Sequence, residues 1–329
     1  MTVLEAIQKS TEFLAKKGVD SPRLQTELLL AHLLKVPRMK LYLNFERTLT
    51  PAEVDSFREF IKRRGQREPL QHITGSTSFC GLEIAVHRHA LVPRPETELL
   101  AELGWEFLQG RAGSSPGRSL AKPGPQPAAA RSENAPYPDL CALDFGTGTG
   151  CIAIALAVKC PSAKIVATDI SPDALALARQ NAGRNIVADR IEFVQGDGFA
   201  VLKDRWGERP REPKGNAIGD GSPGVSPHRF DLIISNPPYI PSAEIAMLQS
   251  EVRDFDPRGA LDGGADGLDF YRKLAVEAKP FLKPGGKIML EFGDGQADAV
   301  RKIFETEKWI VEAVKEDYSQ RERFLIAGK

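Results

Sequence analysis

No Cys-x-x-Cys pair and no surplus of charge of either sign occurs in these 329 residues. Nor is there a run of about 18 apolar residues, the length that spans a bilayer. Each absence closes a class. Lys+Arg and Asp+Glu both number 44, so the formal net charge is zero. The long-range basic field of a dedicated nucleic-acid binder is missing, and no stable nucleic-acid partner is expected. With neither an export segment nor an apolar span in view, membrane attachment is not expected and a cytoplasmic location is. Cys80, Cys141, Cys151 and Cys160 fall at irregular intervals in largely apolar surroundings and read as buried thiols, with no metal site expected. His87 and His89 read as two solvated residues on one face of a strand. What remains is an ordinary globular composition, 42% hydrophobic, in a chain long enough for two domains.

Residues 1–75 read as a small all-helical domain. A first helix is expected over Val3–Lys17, and Ser21-Pro22 reads as a cap and first-turn proline ahead of a leucine stripe. Thr50-Pro51-Ala52-Glu53 has the form of a capping box. This segment holds 13 Lys+Arg against 9 Asp+Glu, and Lys62, Arg63, Arg64 and Arg67 cluster where a helix dipole favours cations. A partner surface is the weaker reading of that cluster. Residues 76–93 read as a β-hairpin linker, and Pro93–Glu98 opens a helix running to about Gln109. Two Gly/Pro/Ser-rich stretches, about 110–136 and 205–228, read as mobile insertions.

Between and after them, strands and helices alternate. Strands are expected at Leu140–Phe145, Lys164–Thr168, Ile191–Val194, Phe230–Ser235 and Lys287–Phe292. Helices are expected at Cys151–Val158, Pro172–Asn181 and Leu268–Leu282. Such alternation predicts an α/β fold, a mostly parallel sheet with helices on both faces, over residues 94–329. Trp309–Val314 and Phe324–Ile326 read as a strand pair at one edge.

Asp144-Phe145-Gly146-Thr147-Gly148-Thr149-Gly150 ends the first of these strands and opens a helix. The spacing G-x-G-x-G is neither the dinucleotide fingerprint nor a P-loop, which points to a ligand without a pyrophosphate. Asp169, nineteen residues beyond Gly150, ends the next strand, where a carboxylate can accept both hydrogen bonds of a ribose diol. Asp197 ends the third strand, placed for the exocyclic amine of an adenine. Each acid alone is an ordinary turn residue. A glycine loop and two acids at three successive carboxyl ends of one sheet together suggest adenosine without phosphates, hence S-adenosyl-L-methionine. The arrangement resembles the class I methyltransferases, with their Rossmann-like sheet.

The fourth strand runs into Asn236-Pro237-Pro238-Tyr239. Two prolines stop sheet pairing and fix the backbone that follows. The tetrapeptide resembles the N-P-P-Y motif of methyltransferases acting on a planar amide or exocyclic amine. On that reading the Asn236 side-chain oxygen and the Pro237 carbonyl accept the two N–H bonds of the acceptor. Pro238 holds that carbonyl still, and Tyr239 stacks on the planar group. The assigned catalytic residues are thus Asn236, Pro237 and Tyr239, with Pro238 added for substrate binding.

The segment Glu251–Leu261, the glycines of Gly263-Gly264-Ala265-Asp266-Gly267-Leu268, the run Pro93–Glu98 and the helical N-terminal domain resemble the HemK/PrmC family of protein-(glutamine-N5) methyltransferases. The resemblance spans nearly the whole chain outside the two insertions. It implies methylation of the side-chain amide of glutamine in the Gly-Gly-Gln motif of class I peptide chain release factors. It further implies that the N-terminal domain helps dock that protein, and a monomer is expected. Where many relatives carry a bulky aromatic after the third-strand aspartate, this chain has Gly198, then Phe199. Adenine stacking therefore falls to Phe199 or another side chain. Three alternatives stay open: a ribosomal-protein glutamine-N5 methyltransferase, an adenine-N6 DNA methyltransferase, and a non-catalytic adenosylmethionine- or RNA-binding module.

Overall fold

Thr2 and Glu5 cap the first helix reciprocally, side chain to backbone in both directions, and Thr50 and Glu53 do the same further on. These devices start α1 (Val3–Lys16) and α4 (Pro51–Gly65); between them lie α2 (Pro22–Leu34) and α3 (Arg38–Tyr42), and α5 (Leu70–Thr74) follows. A computed structural model describes residues 1–113, 140–206 and 229–329; the expected insertions lie mostly outside these residues. Ser21 precedes α2 in the left-handed conformation, φ 46°, and its side chain caps nothing, contrary to the sequence expectation. Pro22, with its fixed φ, is the start signal that holds there. The five helices enclose their own core around Leu14, Leu30 and Phe57.

The linker is a two-stranded antiparallel hairpin, β1 (Ser76–Phe79) and β2 (Leu82–Ala85). Asn181 pins it to the larger domain: its side chain accepts from the Ala85 N–H and donates to the Ala85 and Thr149 carbonyls. Strand β2 stops at Ala85, so His87 and His89 lie beyond the hairpin rather than on a strand. Their rings meet edge to face with centroids 4.9 Å apart.

The large domain follows the expected alternation. In chain order it contains α6 (Pro95–Gly113), β3 (Cys141–Phe145), α7 (Cys151–Lys159), β4 (Lys164–Asp169), α8 (Pro172–Arg184), β5 (Ile191–Gln195), α9 (Gly198–Trp206) and β6 (Phe230–Ser235). It continues with α10 (Ser250–Arg253), α11 (Asp269–Glu277), β7 (Leu282–Glu291), α12 (Ala297–Thr306), β8 (Ile310–Glu316) and β9 (Glu322–Gly328). The seven-stranded sheet has the order β5-β4-β3-β6-β7-β9-β8, parallel from β5 to β7, with β9 antiparallel on both sides. The final pair therefore joins the β7 edge through its second member.

Side chains along β3 and β6 alternate between two cores. Ala142, Leu232 and Ile234 face α6 and α7, whereas Leu143 and Ile233 face α9, α11 and α12; Phe230, ahead of a register shift in β6, joins the second core out of step. Helices α9 and α12 escaped the sequence reading, although Val300 and Phe304 of α12 are fully buried at helical spacing. The helix expected over Leu268–Leu282 ends at Glu277, and Pro280, which has no N–H to donate, sits in a short 3-10 turn. Strand β7 begins earlier than expected, at Leu282, with an irregularity where Phe230 and Leu232 pair with it. Strand order reverses between β3 and β6, and open α/β sheets bind ligands in the crevice at such a point.

Candidate active site

The loop leaving β3 is shaped by backbone. Gly146, Gly148 and Gly150 all have positive φ, +72°, +56° and +81°, where an L side chain is strained. Thr147 N–H donates to the Thr168 carbonyl at 2.8 Å, and its hydroxyl donates to Asp144 Oδ2 at 2.6 Å, which also accepts the Ala153 N–H at 3.1 Å. Burial pushes the Asp144 carboxyl up to about 7 despite these bonds, and its Oδ1 has no partner. A β-carbon on Gly146 would meet nothing within 4 Å, so this glycine borders open space, whereas one on Gly150 would press on Ala178 at 3.0 Å. Gly150 thus serves the packing of α7 on α8, while Gly146, Thr147, Gly148 and Thr149 face a cavity of about 270 Å³.

Asp169 ends β4 on the wall of that cavity. One oxygen accepts the Gly148 N–H and the other the Ser171 N–H, each at 2.9 Å. A carboxylate has roughly four lone-pair positions, so acceptor capacity is left for a ligand. Asp197 also lines the cavity, but 70% of its side chain is exposed and Oδ1 pairs with Lys273 Nζ at 2.6 Å. The next residue, Gly198, has φ +62°, where an L side chain is strained, and its nearest neighbour is the movable end of Lys273.

Across the crevice, Ser235 at the end of β6 donates its hydroxyl to the Phe145 carbonyl at 2.6 Å, tying the two strand ends together. Asn236, Pro237 and Pro238 follow on the cavity wall. Asn236 Nδ2 donates to Thr97 Oγ1 at 3.1 Å, and Thr97 Oγ1 donates to Glu291 Oε2 at 2.8 Å. Thr97 belongs to the first turn of α6 and Glu291 ends β7, so three elements meet at this side chain. Burial pushes the Glu291 carboxyl up to about 7, even though the Thr97 hydroxyl favours its ionised form.

The proline corner is clamped from behind. Gln296 Nε2 donates to the Tyr239 carbonyl at 2.9 Å while its Oε1 accepts the Gly293 N–H. Ile240 N–H donates to Leu261 O, and Gly263 N–H to Ile240 O. A β-carbon on Gly263 would lie 2.9 Å from the Pro238 carbonyl oxygen, and one on Gly267 2.3 Å from that of Tyr239. Only glycine lets the 263–267 loop approach so closely.

Three expected site residues fall elsewhere: Gly150, which packs α7 on α8, Phe199 and Tyr239. Phe199 is fully buried, its ring packed between Phe145 and Phe281, and it cannot stack on a ligand in the cavity. The aromatic rings that the cavity does present are Phe145 and Phe270. Tyr239 is likewise absent from the cavity wall: its ring lies against Gly293, and burial pushes its phenol up to about 12. Asn236, Pro237, Pro238, Asp169, Asp197, Gly198 and four of the five loop residues are brought together.

Sequence reasoning missed several others. His89, Arg94 and Thr97 line the cavity, and Arg94 pairs with Asp256 at 2.9 Å. Burial lifts the Asp256 carboxyl to about 6 against the pull of Arg94. The resemblance had included Arg94, Thr97 and Asp256 without giving any of them a role. Nothing local marks Glu291, which lies 194 residues from its partner Thr97.

The basic cluster at the end of α4 is largely committed internally. Arg63 pairs with Glu68, and Arg64 and Arg67 both bind Glu251, each at 2.6 Å, linking the helical domain to the segment after the proline corner.

These residues fit S-adenosyl-L-methionine on the observations above. The glycine loop borders open space, carboxylates stand at the ends of β4 and β5, and the nearby cations Arg94 and Lys273 are each paired to an acid. That combination suits an uncharged adenosine and a cationic sulfur better than a phosphate chain. Two family models match the chain: a PrmC N-terminal domain over residues 5–75 and a methyltransferase domain over residues 138–324. A release factor glutamine methyltransferase of Geobacter sulfurreducens is 39% identical over 303 residues, 92% of this chain and 88% of that protein. Its namesake in Chlorobaculum tepidum is 38% identical over 324 residues, 98% of this chain and 96% of that one. Among solved structures, a methyltransferase from Pyrococcus furiosus aligns with a TM-score of 0.44 at 21% identity, covering 76% of this chain and 90% of that one.

Proposed function

The chain belongs to the release factor glutamine methyltransferase family, and from that premise we propose the reaction: methyl transfer from S-adenosyl-L-methionine to a glutamine side-chain amide nitrogen, N5. The acceptor is the glutamine of the Gly-Gly-Gln motif in class I peptide chain release factors. One observation carries the reading. Asn236-Pro237-Pro238 and the glycine loop line one cavity at the point where strand order reverses.

The loop backbone at Gly146–Thr149, with Asp169 and Asp197, holds the donor. Bound there, the donor supplies a methyl group on positively charged sulfur. An amide nitrogen is a weak nucleophile because its lone pair is delocalised into the carbonyl. Asn236 Oδ1 and the Pro237 carbonyl accept its two N–H bonds, which raises electron density on nitrogen and fixes its direction. Orientation of this kind is worth roughly 7–11 kcal/mol in favourable intramolecular systems. Transfer would form the N–C bond at the expense of the donor's C–S bond, and the amide nitrogen would lose one proton to water. Tyr239 contributes through its carbonyl, which anchors the corner to Gln296. The enzyme acts as a monomer in the cytoplasm, without stable nucleic acid. Among the described residues no helix is long and apolar enough to cross a membrane.

The test is transfer of labelled methyl into purified release factors, ribosomal proteins and DNA, followed by mapping of the modified atom. Label on the glutamine amide of the Gly-Gly-Gln loop is expected. Label confined to a ribosomal protein or to adenine overturns the choice of acceptor.

A further inference from the structure

A carboxamide presents an oxygen and an NH2 of nearly the same shape, and an acceptor clamp works only if the oxygen faces the substrate. With NH2 turned inward, donor would oppose donor. The side chain of Asn236 cannot set this choice alone. Thr97 carries one hydroxyl proton and two lone pairs. That proton is directed to Glu291 Oε2 at 2.8 Å, so toward Asn236 the hydroxyl can only accept. The NH2 is the group that can satisfy it, at 3.1 Å. We propose that Thr97 and Glu291 are positioning residues: by accepting the Thr97 proton, the Glu291 carboxylate fixes the polarity of the chain and turns Asn236 Oδ1 toward the acceptor amide. The proposal rests on the glutamine-transfer reading and deepens it.

The polarity depends on charge. An ionised carboxylate accepts only, whereas a protonated Glu291 can donate to Thr97, freeing that hydroxyl to donate to Asn236 Oδ1 and allowing the amide to flip. Glu291 is almost wholly inside, and burial holds its carboxyl near 7. Arg94, at the entrance to α6, and Arg323, on β9, favour its ionised form, while Glu96, at the start of α6, opposes it. Tyr239 stands on the proline-corner side. Tyr271 of α11 donates its hydroxyl to the Glu291 backbone carbonyl at 2.8 Å and leaves the carboxylate to Thr97. Acidification through neutrality therefore scrambles the clamp; Asp144 behind the donor loop, also near 7, and Asp256 beside Arg94, near 6, titrate over the same range, so donor affinity is followed across the same pH series.

The experiment compares wild type, Thr97→Ser, Thr97→Val and Glu291→Gln in methyl transfer to a release factor at saturating donor from pH 5.5 to 8.5, with S-adenosylhomocysteine affinity measured by calorimetry. Thr97→Val and Glu291→Gln are expected to lower kcat by about 10- to 100-fold with affinity unchanged. Thr97→Ser restores turnover, and the acidic limb of kcat seen in the wild type is reduced in Glu291→Gln, leaving only what Asp144 and Asp256 contribute. A Thr97→Val enzyme as active as Thr97→Ser, or an acidic limb of the same midpoint and amplitude in Glu291→Gln as in the wild type, overturns the proposal. A second readout is independent of the acceptor: side-chain amide resonances of Asn236 should exchange slowly in wild type and Thr97→Ser and fast in Thr97→Val. Equal exchange in all three overturns the relay even where no release factor is methylated. A wild-type enzyme that labels no release factor but shows the exchange difference overturns the transfer reading alone.

Discussion

The two walls of the crevice are built in different ways. The wall at the ends of β3 and β4 is largely backbone: positive-φ glycines, the Thr147 N–H on the Thr168 carbonyl, and one carboxylate taking the Gly148 amide from 21 residues away and the Ser171 amide from two. The wall at the end of β6 is held by side chains that are distant in sequence. Asn236 and Thr97 are 139 residues apart, Thr97 and Glu291 194. A donor shared by many reactions can be held by local backbone geometry. Selecting one nitrogen of one acceptor takes oriented side chains, which only the completed fold brings together.

Substitutions on the two walls should separate accordingly. The largest effect is expected from Asn236→Ala, which removes the acceptor proposed at the reacting nitrogen. By comparison with loss of a single oxyanion donor, turnover should fall by about 10²–10³, roughly 3–4 kcal/mol, with donor affinity retained in calorimetry. Parallel loss of both would mean that the walls are not separable.

Glu251→Ala probes what holds the acceptor wall to the helical domain. It leaves the buried Arg64 without its carboxylate and Arg67 without a bidentate partner. Breaking buried pairs costs about 3–5 kcal/mol. The lower end is expected here, because Arg64 keeps the Gln25 side chain and the Glu68 carbonyl as acceptors. Urea unfolding measures the loss.

Glu291→Gln should move stability the other way. Its carboxyl, ordinarily near 4.5, is held at about 7 in the fold. The native state therefore binds a proton that the unfolded chain releases, and wild-type stability falls as pH rises from about 4.5 to 7. At pH 8 the buried charge costs roughly 3 kcal/mol, which the amide variant recovers while losing turnover. Equal stability of the two proteins at pH 8, or a difference that grows on acidification, would contradict the raised carboxyl.

The smallest effect is expected on the donor wall. Asp169→Ala releases the Gly148 and Ser171 amides together with the acceptor for a ribose, and should weaken donor binding by about 1–2 kcal/mol. At saturating donor, kcat should stay near that of the wild type.

How much of this was legible in the sequence follows the same division. Alternating strands and helices rest on short-range pattern and form as read; the glycine loop, Asp169 and the proline corner rest on it too and meet at one cavity, although Gly150 and Tyr239 turn away from it. The Thr50–Glu53 capping box formed for the same reason. Ser21 shows the limit: a serine before a proline looks like a cap, but the turn entering α2 puts it in the left-handed region with no amide in reach of its side chain. Phe199 was offered for stacking because it follows Asp197 and Gly198; the start of α9 turns its ring into the core instead. In sequence, Thr97 is one polar residue in a first turn and Glu291 lies inside an expected strand, and neither carries a local sign of its role. Their pairing is a property of the sheet order, which no local window contains.

The most direct test of the account is a crystal structure with S-adenosylhomocysteine and a peptide carrying Gly-Gly-Gln. The glutamine amide nitrogen is expected within about 2.7–3.2 Å of both Asn236 Oδ1 and the Pro237 carbonyl oxygen, with Asn236 Nδ2 still on Thr97. A glutamine bound away from that corner, or an Asn236 that offers its NH2 to the peptide, would contradict it.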